Sequence, residues 1–232
     1  RCSCKTAWGK PITPKTAHSY YTTLRTALNE AVRENLIASN PWYRLEMTEK
    51  IKVPESKRDF LTIEEIKRMM ATPFFNELVR QAYLFSCFCG LRISDIRKLR
   101  WRDLSMSGGQ WRVSVVMTKT TNPVYIPLSS QAVKWLPERG DCMPDGLVFG
   151  GLPNEGNLCV NLKSWAEKAG VKKNVTFHTA RHSCAVLLLT LGADIYTVSK
   201  ILGHRSVRAT QVYAKIVDKK KDDAIALVDN AF

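Results

Sequence analysis

The 232-residue sequence lacks several features that would place it in common classes of protein. No apolar run reaches the roughly 18 residues that a membrane-spanning helix needs, and the charged N-terminus contains no signal-peptide core, so we do not expect export. The sequence begins with Arg1 instead of Met, which suggests that a longer parent chain was trimmed. It contains no Walker-type GxxxxGK[ST] motif and no internal repeat. ATP is therefore not expected as a cofactor.

The seven cysteines lack the spacing of a metal site. A single residue separates Cys2 from Cys4, whereas zinc sites combine Cys-x₂-Cys or histidine spacings. The apolar neighbours of Cys87, Cys89 and Cys184 predict buried, reduced thiols of the kind found in cytosolic proteins. We therefore expect neither a metal ion nor another cofactor.

Acidic residues are scarce relative to basic ones. Thirty-five Lys and Arg face 21 Asp and Glu, which gives a net charge of +14. This surplus favours a polyanionic partner, because each phosphate neutralised by Lys or Arg releases a condensed counterion. An anionic membrane surface is the rival partner, although no strongly basic amphipathic helix supports it. A basic protein without a polyanionic partner also remains open at this point.

The chain divides by composition near residue 50. Apolar residues at helical spacing predict one amphipathic helix over residues 13–35, with Thr13 as its N-cap and Pro14 in its first turn. This helix is too small to hold a core alone. Residues 49–59 are polar and contain a proline, as linkers do. A capping box formed by Thr62 and Glu65 then opens a second domain.

The second domain is predicted to be helical with one β-hairpin. The stretch 76–89 is apolar on most sides and ends at Gly90, which indicates a buried helix. Residues 111–128 alternate apolar and polar on both sides of a turn, and Pro127 indicates that the return strand lies at a sheet edge. Helical patterns return over 179–191 and 195–202.

Four motifs stand in a fixed order: CGLRISD (89–95), MTKTT (117–121), HTARH (178–182) and LGHRSVRATQVY (202–213). Taken singly, most of their polar residues have an ordinary structural explanation. Together they resemble the tyrosine recombinase, or phage integrase, family. Its pattern is an Arg after Gly-Leu, a hairpin Lys, His-x-x-Arg, Leu-Gly-His and a Tyr nine residues after that His. The segments VSKILGH and TQVYAKI most resemble those of integrases from conjugative transposons and related mobile elements.

The resemblance implies a fold and a division into domains. The fold is mainly α with a small antiparallel β-sheet (α+β). Residues 1–48 would be the C-terminal part of a helical core-binding domain, 49–59 the linker, and 60–217 the tyrosine recombinase catalytic domain. Residues 218–232 would form a tail helix that packs within its own chain or docks on a neighbouring protomer.

The resemblance also implies a catalytic set: Arg92, Lys119, His178, Arg181, His204 and Tyr213. The tyrosine would attack a phosphodiester, and a free phenol, with a pKa of about 10, needs a base to accept its proton; His178 is the candidate. Arg92, Arg181 and His204 would donate to the non-bridging oxygens. Lys119 would protonate the departing 5′-oxygen. The resulting 3′-phosphotyrosine stores the bond energy, so no ATP and no metal are expected.

Other residues have less specific assignments. Asp95 would hold Arg92 in place, or would be an ordinary acid in the first turn of a helix. The family's C-shaped clamp around a duplex implies phosphate contacts from a set of basic residues that could equally be solvated: Lys5, Lys10, Lys15, Lys52, Lys57 and Arg58.

The expected partner is double-stranded DNA at a recombination or attachment site. The resemblance implies a homotetramer on DNA, a monomer when free, accessory DNA-bending proteins, no membrane, and a bacterial cytoplasm with the nucleoid as the site of action. Three alternatives stay open: a type IB topoisomerase with similar residues, a metal-dependent transposase, which would need a carboxylate cluster, and a non-catalytic DNA-binding module.

Overall fold

A computed structural model describes residues 11–51, 58–117 and 123–214. The chain divides into two compact units, residues 1–57 and 58–232. The predicted tail at 218–232 and the predicted hairpin turn lie outside the described residues. The domain boundaries proposed from the sequence stay predictions.

The first unit is built around α1 (Pro14–Arg33), which agrees with the predicted helix. The Thr13 side chain accepts a hydrogen bond from the Thr16 amide at 3.2 Å and so caps the helix. A 3-10 helix follows at Pro41–Arg44. Asn40 joins the two, because its side-chain amide donates to the Asn29 side chain at 2.6 Å. No residue of α1 is buried, as expected for a helix too small to hold a core.

The second unit contains the remaining described helices: α2 (Ile63–Ala71), α3 (Glu77–Cys89), α4 (Ile93–Ile96), α5 (Ser130–Lys134), α6 (Glu155–Lys168), α7 (Phe177–Thr190), α8 (Ile195–Ile201), α9 (Arg208–Ala214) and a 3-10 helix at Trp101–Asp103. The predicted capping box begins α2. The Glu65 amide donates to the Thr62 hydroxyl at 3.2 Å, and the Glu65 carboxylate accepts from the Thr62 amide at 2.8 Å.

A small antiparallel sheet interrupts the helices. Its strands are β1 (Leu104–Ser107), β2 (Gln110–Val116) and β3 (Pro123–Pro127), in the order β1-β2-β3. The two predicted strands are β2 and β3, and Pro127 lies on an edge strand as predicted, where its missing N–H interrupts no ladder. Strand β1 was not predicted.

The core of this unit lies where α3 packs against α7. Tyr83 of α3 makes edge-to-face contacts with Trp165 and Phe177, with ring centroids 5.8 and 5.6 Å apart. Trp165 is fully buried, and its indole N–H donates to the Thr72 carbonyl at 3.0 Å. The buried helices and small sheet confirm the predicted mainly α, α+β fold class.

The cysteines within this core behave as the sequence predicts. Cys87, Cys89 and Cys184 are buried free thiols, and burial raises the pKa of the Cys184 thiol to about 12. Among the described residues, no helix is long and apolar enough to cross a membrane.

Candidate active site

Arg92 is positioned by the turn that ends α3. Gly90 adopts the left-handed conformation at φ 75°, and Arg92 is then the N-cap of α4. The Arg92 guanidinium lies 4.0 Å from the Asp95 carboxylate and 3.3 Å from the Met117 sulfur. Asp95 is almost completely buried, its side chain being 1% exposed. It therefore lies where the sequence expects a residue that holds Arg92, although that role stays a prediction.

Arg181 lies in the second turn of α7 and connects two loops of the site. Its Nη1 donates to the Gly90 carbonyl at 2.7 Å, and its Nη2 donates to the Leu202 carbonyl at 2.5 Å. The first loop leads to Arg92 and the second to His204. Burial lowers the pKa of Arg181 to about 10, and the charge of Arg92 acts in the same direction.

His204 follows α8 and is half-buried. Its Nδ1 lies 2.7 Å from the Thr210 hydroxyl. Burial, followed by the charges of Arg181 and Arg92, lowers the pKa of His204 to about 4. The imidazole is therefore neutral at neutral pH, and the tautomer in which Nδ1 accepts from Thr210 carries its proton on Nε2, where it is a donor.

Tyr213 lies near the end of α9 and is 1% exposed. Its phenolic oxygen is 2.5 Å from His182 Nδ1 and 3.2 Å from Arg58 Nη1. The ring centroids of Tyr213 and His182 are 5.4 Å apart. The predicted base, His178, is exposed, and its ring centroid lies 6.5 Å from that of His182.

His182 was not predicted as a site residue, although it contacts Tyr213. The residue stands in the quoted HTARH motif, four positions after His178 and therefore on the same side of α7. Arg58 was predicted as a phosphate contact, whereas the structure places its guanidinium against the Tyr213 hydroxyl and 5.7 Å from the ring centroid. The phosphate contact stays untested.

Several predicted site residues lie outside the described part of the chain: Lys5, Lys10, Lys52, Lys57 and Lys119. Lys15 is exposed on α1 in the first unit. In the second unit, the fold brings Arg92, Arg181, His204 and Tyr213 into one region. Arg181 binds the carbonyls of Gly90 and Leu202, two residues before Arg92 and His204, and His204 contacts Thr210 on the helix that carries Tyr213.

The chemistry of this site suits one class of reaction. Two arginines with little exposure and a neutral histidine supply hydrogen-bond donors and positive charge, which suits a phosphate ester. A tyrosine hydroxyl stands beside them. Such a site is suited to attack on a phosphate ester by the tyrosine oxygen.

Residues 59–220 match the phage integrase family, and residues 5–53 match the phage integrase SAM-like domain. The chain therefore belongs to the phage integrase family, as the motifs predicted.

The chain is similar to tyrosine recombinases. It is 31% identical to the one from Thermosipho africanus over 225 residues, which cover 90% of this chain and 75% of the relative. It is 31% identical to the one from Pseudothermotoga lettingae over 185 residues, which cover 76% of this chain and 64% of the relative. The chain thus spans less than two thirds of the length of the second relative.

The fold is similar to that of the Tn1549 transposon integrase, solved in complex with circular intermediate DNA. The TM-score is 0.65 at 18% identity, and the match covers 87% of this chain and 75% of that chain. At this identity the likeness shows the shared fold.

Proposed function

We propose that this chain is a site-specific DNA recombinase that cleaves and rejoins strands through a 3′-phosphotyrosine on Tyr213. The observation that carries the proposal is the convergence of Arg92, Arg181, His204 and Tyr213, which are spread over three motifs and lie in one region of the second unit. Membership of the phage integrase family and the similarity to tyrosine recombinases support the same activity.

The arginines would bind the scissile phosphate. A guanidinium has five N–H donors, and Arg181 uses donors on both of its terminal nitrogens for the carbonyls of Gly90 and Leu202. These bonds hold the guanidinium rigid while further N–H groups stay available to a phosphate oxygen. Arg92, restrained near Asp95, would donate to a second oxygen. Donors fixed before the reaction lower the barrier because they need no reorganisation as charge develops.

His204 would add a neutral donor. In the proposed tautomer Thr210 donates to Nδ1, so the hydrogen on Nε2 can stabilise negative charge on a non-bridging oxygen. Removing one such donor typically lowers the rate roughly 10²–10³-fold.

Two proton transfers complete the proposal. His178 would accept the proton of the attacking phenol, and Lys119 would give a proton to the 5′-oxygen that leaves. Each transfer is typically worth roughly 10²–10⁴ in rate. The P–O5′ bond breaks as the bond from phosphorus to the tyrosine oxygen forms, and the reverse steps rejoin the strand.

The proposed substrate is double-stranded DNA at the attachment sites of a mobile element, with integration and excision as the outcome. The net charge of +14 favours such a polyanion, and the Tn1549 transposon integrase with the same fold was solved with DNA. We propose assembly as a homotetramer on DNA from a free monomer, with accessory DNA-bending proteins as further partners and the bacterial cytoplasm, at the nucleoid, as the location.

A plasmid assay separates the recombinase from a type IB topoisomerase and from a DNA-binding module. One supercoiled plasmid carries two attachment sites of the element, and a matched plasmid carries none. A recombinase exchanges strands in the first and leaves the second supercoiled. Relaxation of the plasmid without sites, with no exchange in the other, would instead identify a type IB topoisomerase. Binding without strand exchange or relaxation would identify a DNA-binding module. The Tyr213→Phe variant is the control in each experiment, because it lacks the proposed nucleophile.

A further inference from the structure

Two side chains outside the predicted catalytic set contact the oxygen of Tyr213. His182 Nδ1 is 2.5 Å from that oxygen, and Arg58 Nη1 donates to it at 3.2 Å. The hydroxyl is thus held from two directions in a residue that is 1% exposed. A phenolic O–H donates once and accepts at its oxygen, so the pair satisfies both capacities of the group.

The surroundings of His182 favour the neutral imidazole, one tautomer of which accepts at Nδ1. Burial lowers the pKa of His182 to about 4, and the charges of Arg58 and His178 contribute. At neutral pH the ring is therefore neutral, and its Nδ1 can hold a lone pair towards the phenol. A protonated imidazole would present N–H donors on both nitrogens and could not accept this hydrogen bond. The positive charge of Arg58 thus favours the form of His182 that binds the hydroxyl.

We propose that His182 and Arg58 are positioning residues that orient the Tyr213 hydroxyl for attack. His182 accepts the hydrogen bond from the phenolic O–H, and Arg58 donates to the phenolic oxygen. This rests on the proposed role of Tyr213 as the nucleophile. A displacement of about 1 Å in a reacting group can lower a rate roughly 10²-fold, so two contacts on the attacking atom should have a measurable effect on the chemical step.

The proposal separates His182 from the predicted base. The ring of His182 is 5.4 Å from that of Tyr213, whereas His178 is exposed and its ring lies 6.5 Å from the ring of His182. The phenol has a single proton, so its transfer to the proposed base His178 requires the O–H to leave the hydrogen bond with His182. Positioning of the hydroxyl and acceptance of its proton are therefore two tasks, and a matched pair of variants distinguishes them.

The kinetic test uses His182→Ala and His182→Asn on a nicked suicide substrate. The Asn side chain places an oxygen near the position of Nδ1, so it can accept the hydrogen bond but cannot take up a proton. We expect a cleavage rate constant about 100-fold lower for His182→Ala, with unchanged DNA half-saturation, and recovery to within about tenfold of wild type for His182→Asn. Equal losses in the two variants, or a normal rate in His182→Ala, would overturn the proposal.

Arg58 requires its own readout, because it was also predicted as a phosphate contact. A positioning residue affects the cleavage rate constant at saturating DNA. For Arg58→Gln we expect this rate constant to fall about tenfold, while the salt dependence of DNA binding stays unchanged. A phosphate contact would instead weaken binding and reduce the salt slope by about one. Weaker DNA binding with a reduced salt slope, at a normal cleavage rate, would overturn the assignment of Arg58 as a positioning residue.

The contact itself can be measured without DNA. In ¹⁵N-labelled protein, the imidazole nitrogens of His182 are assigned by loss of their signals in His182→Asn. We expect Tyr213→Phe to change the Nδ1 chemical shift of His182, because the hydrogen-bond donor is lost. An unchanged shift would overturn the proposed contact. This result stands whether or not wild type forms a DNA adduct, and an absent wild-type adduct would count against the proposed function instead.

Discussion

Gly90 lies between the core and the candidate site, and its replacement by alanine gives a quantitative prediction. The residue ends α3 at φ 75°, and its carbonyl accepts the hydrogen bond from Arg181. An added Cβ would lie 2.7 Å from Leu202 Cδ2 and 3.3 Å from Cys184 Sγ. Both neighbours are fully buried, so neither has open space into which to move.

The expected loss of stability has two parts. A left-handed backbone costs an L-residue roughly 1–2 kcal/mol, and overpacking a well-filled core costs roughly 1–3 kcal/mol. We therefore expect Gly90→Ala to lower the free energy of unfolding by about 2–5 kcal/mol. Gly140 is the matched control, because its φ is 50° and an added Cβ would meet nothing within 4 Å. Gly140→Ala should lower the free energy of unfolding by the cost of the left-handed backbone alone, about 1–2 kcal/mol.

Equilibrium urea unfolding measures both variants against wild type. Tryptophan fluorescence follows the transition, since Trp165 lies in the core of the second unit. The difference between the two variants isolates the clash with Leu202 and Cys184. If Gly90→Ala is no less stable than Gly140→Ala, the close packing of this turn does not restrict residue 90 and the reasoning is wrong.

Three further outcomes follow from the site. Gly203→Ala should also lower stability by about 2–5 kcal/mol in the same urea assay, since its φ is 59° and its Cβ would lie 2.9 Å from Val124. Arg181→Met should abolish cleavage but lower the free energy of unfolding by less than about 3 kcal/mol. The reason is that removal of a buried charge, whose pKa is lowered to about 10, offsets the loss of two hydrogen bonds. A larger decrease in the free energy of unfolding, measured in urea, would show that Arg181 is chiefly structural. The pKa values of His182 and His204 are lowered to about 4 in the folded protein, whereas histidines of the unfolded chain have pKa values near 6.5. As the pH falls, the unfolded chain therefore binds more protons than the folded protein. Stability should be full above about pH 6.5 and decline towards pH 4, and the urea midpoint should decline less in a variant with both histidines changed to Gln.

Local chemistry made much of the second unit predictable. Thr62 and Glu65 form the capping box that their spacing predicts, and Pro127 lies on an edge strand because it lacks a backbone donor. Strand β1 was missed for a physical reason. Its sequence, Leu-Ser-Met-Ser, alternates apolar and polar residues over only four positions, which is too short a run to distinguish a strand from a loop, and only Leu104 is buried.

The candidate site was predictable where its residues belong to motifs and unpredictable where it depends on packing. Arg92 and Arg181 stand in motifs whose chemistry suits a phosphate. The contact between His182 and Tyr213 depends on how α9 packs against α7, which no local pattern encodes. Arg58 follows a polar stretch and is indistinguishable from a solvated arginine in sequence, yet it meets a side chain 155 positions away.

The central claim is that Tyr213 becomes covalently joined to a 3′-phosphate of DNA. The most direct measurement traps the complex on a nicked attachment-site substrate in EDTA, digests the DNA and protein, and locates the residual phosphonucleotide by tandem mass spectrometry. We expect the added mass on Tyr213 and no adduct from Tyr213→Phe. The added mass on another residue, or an adduct that survives Tyr213→Phe, would contradict it.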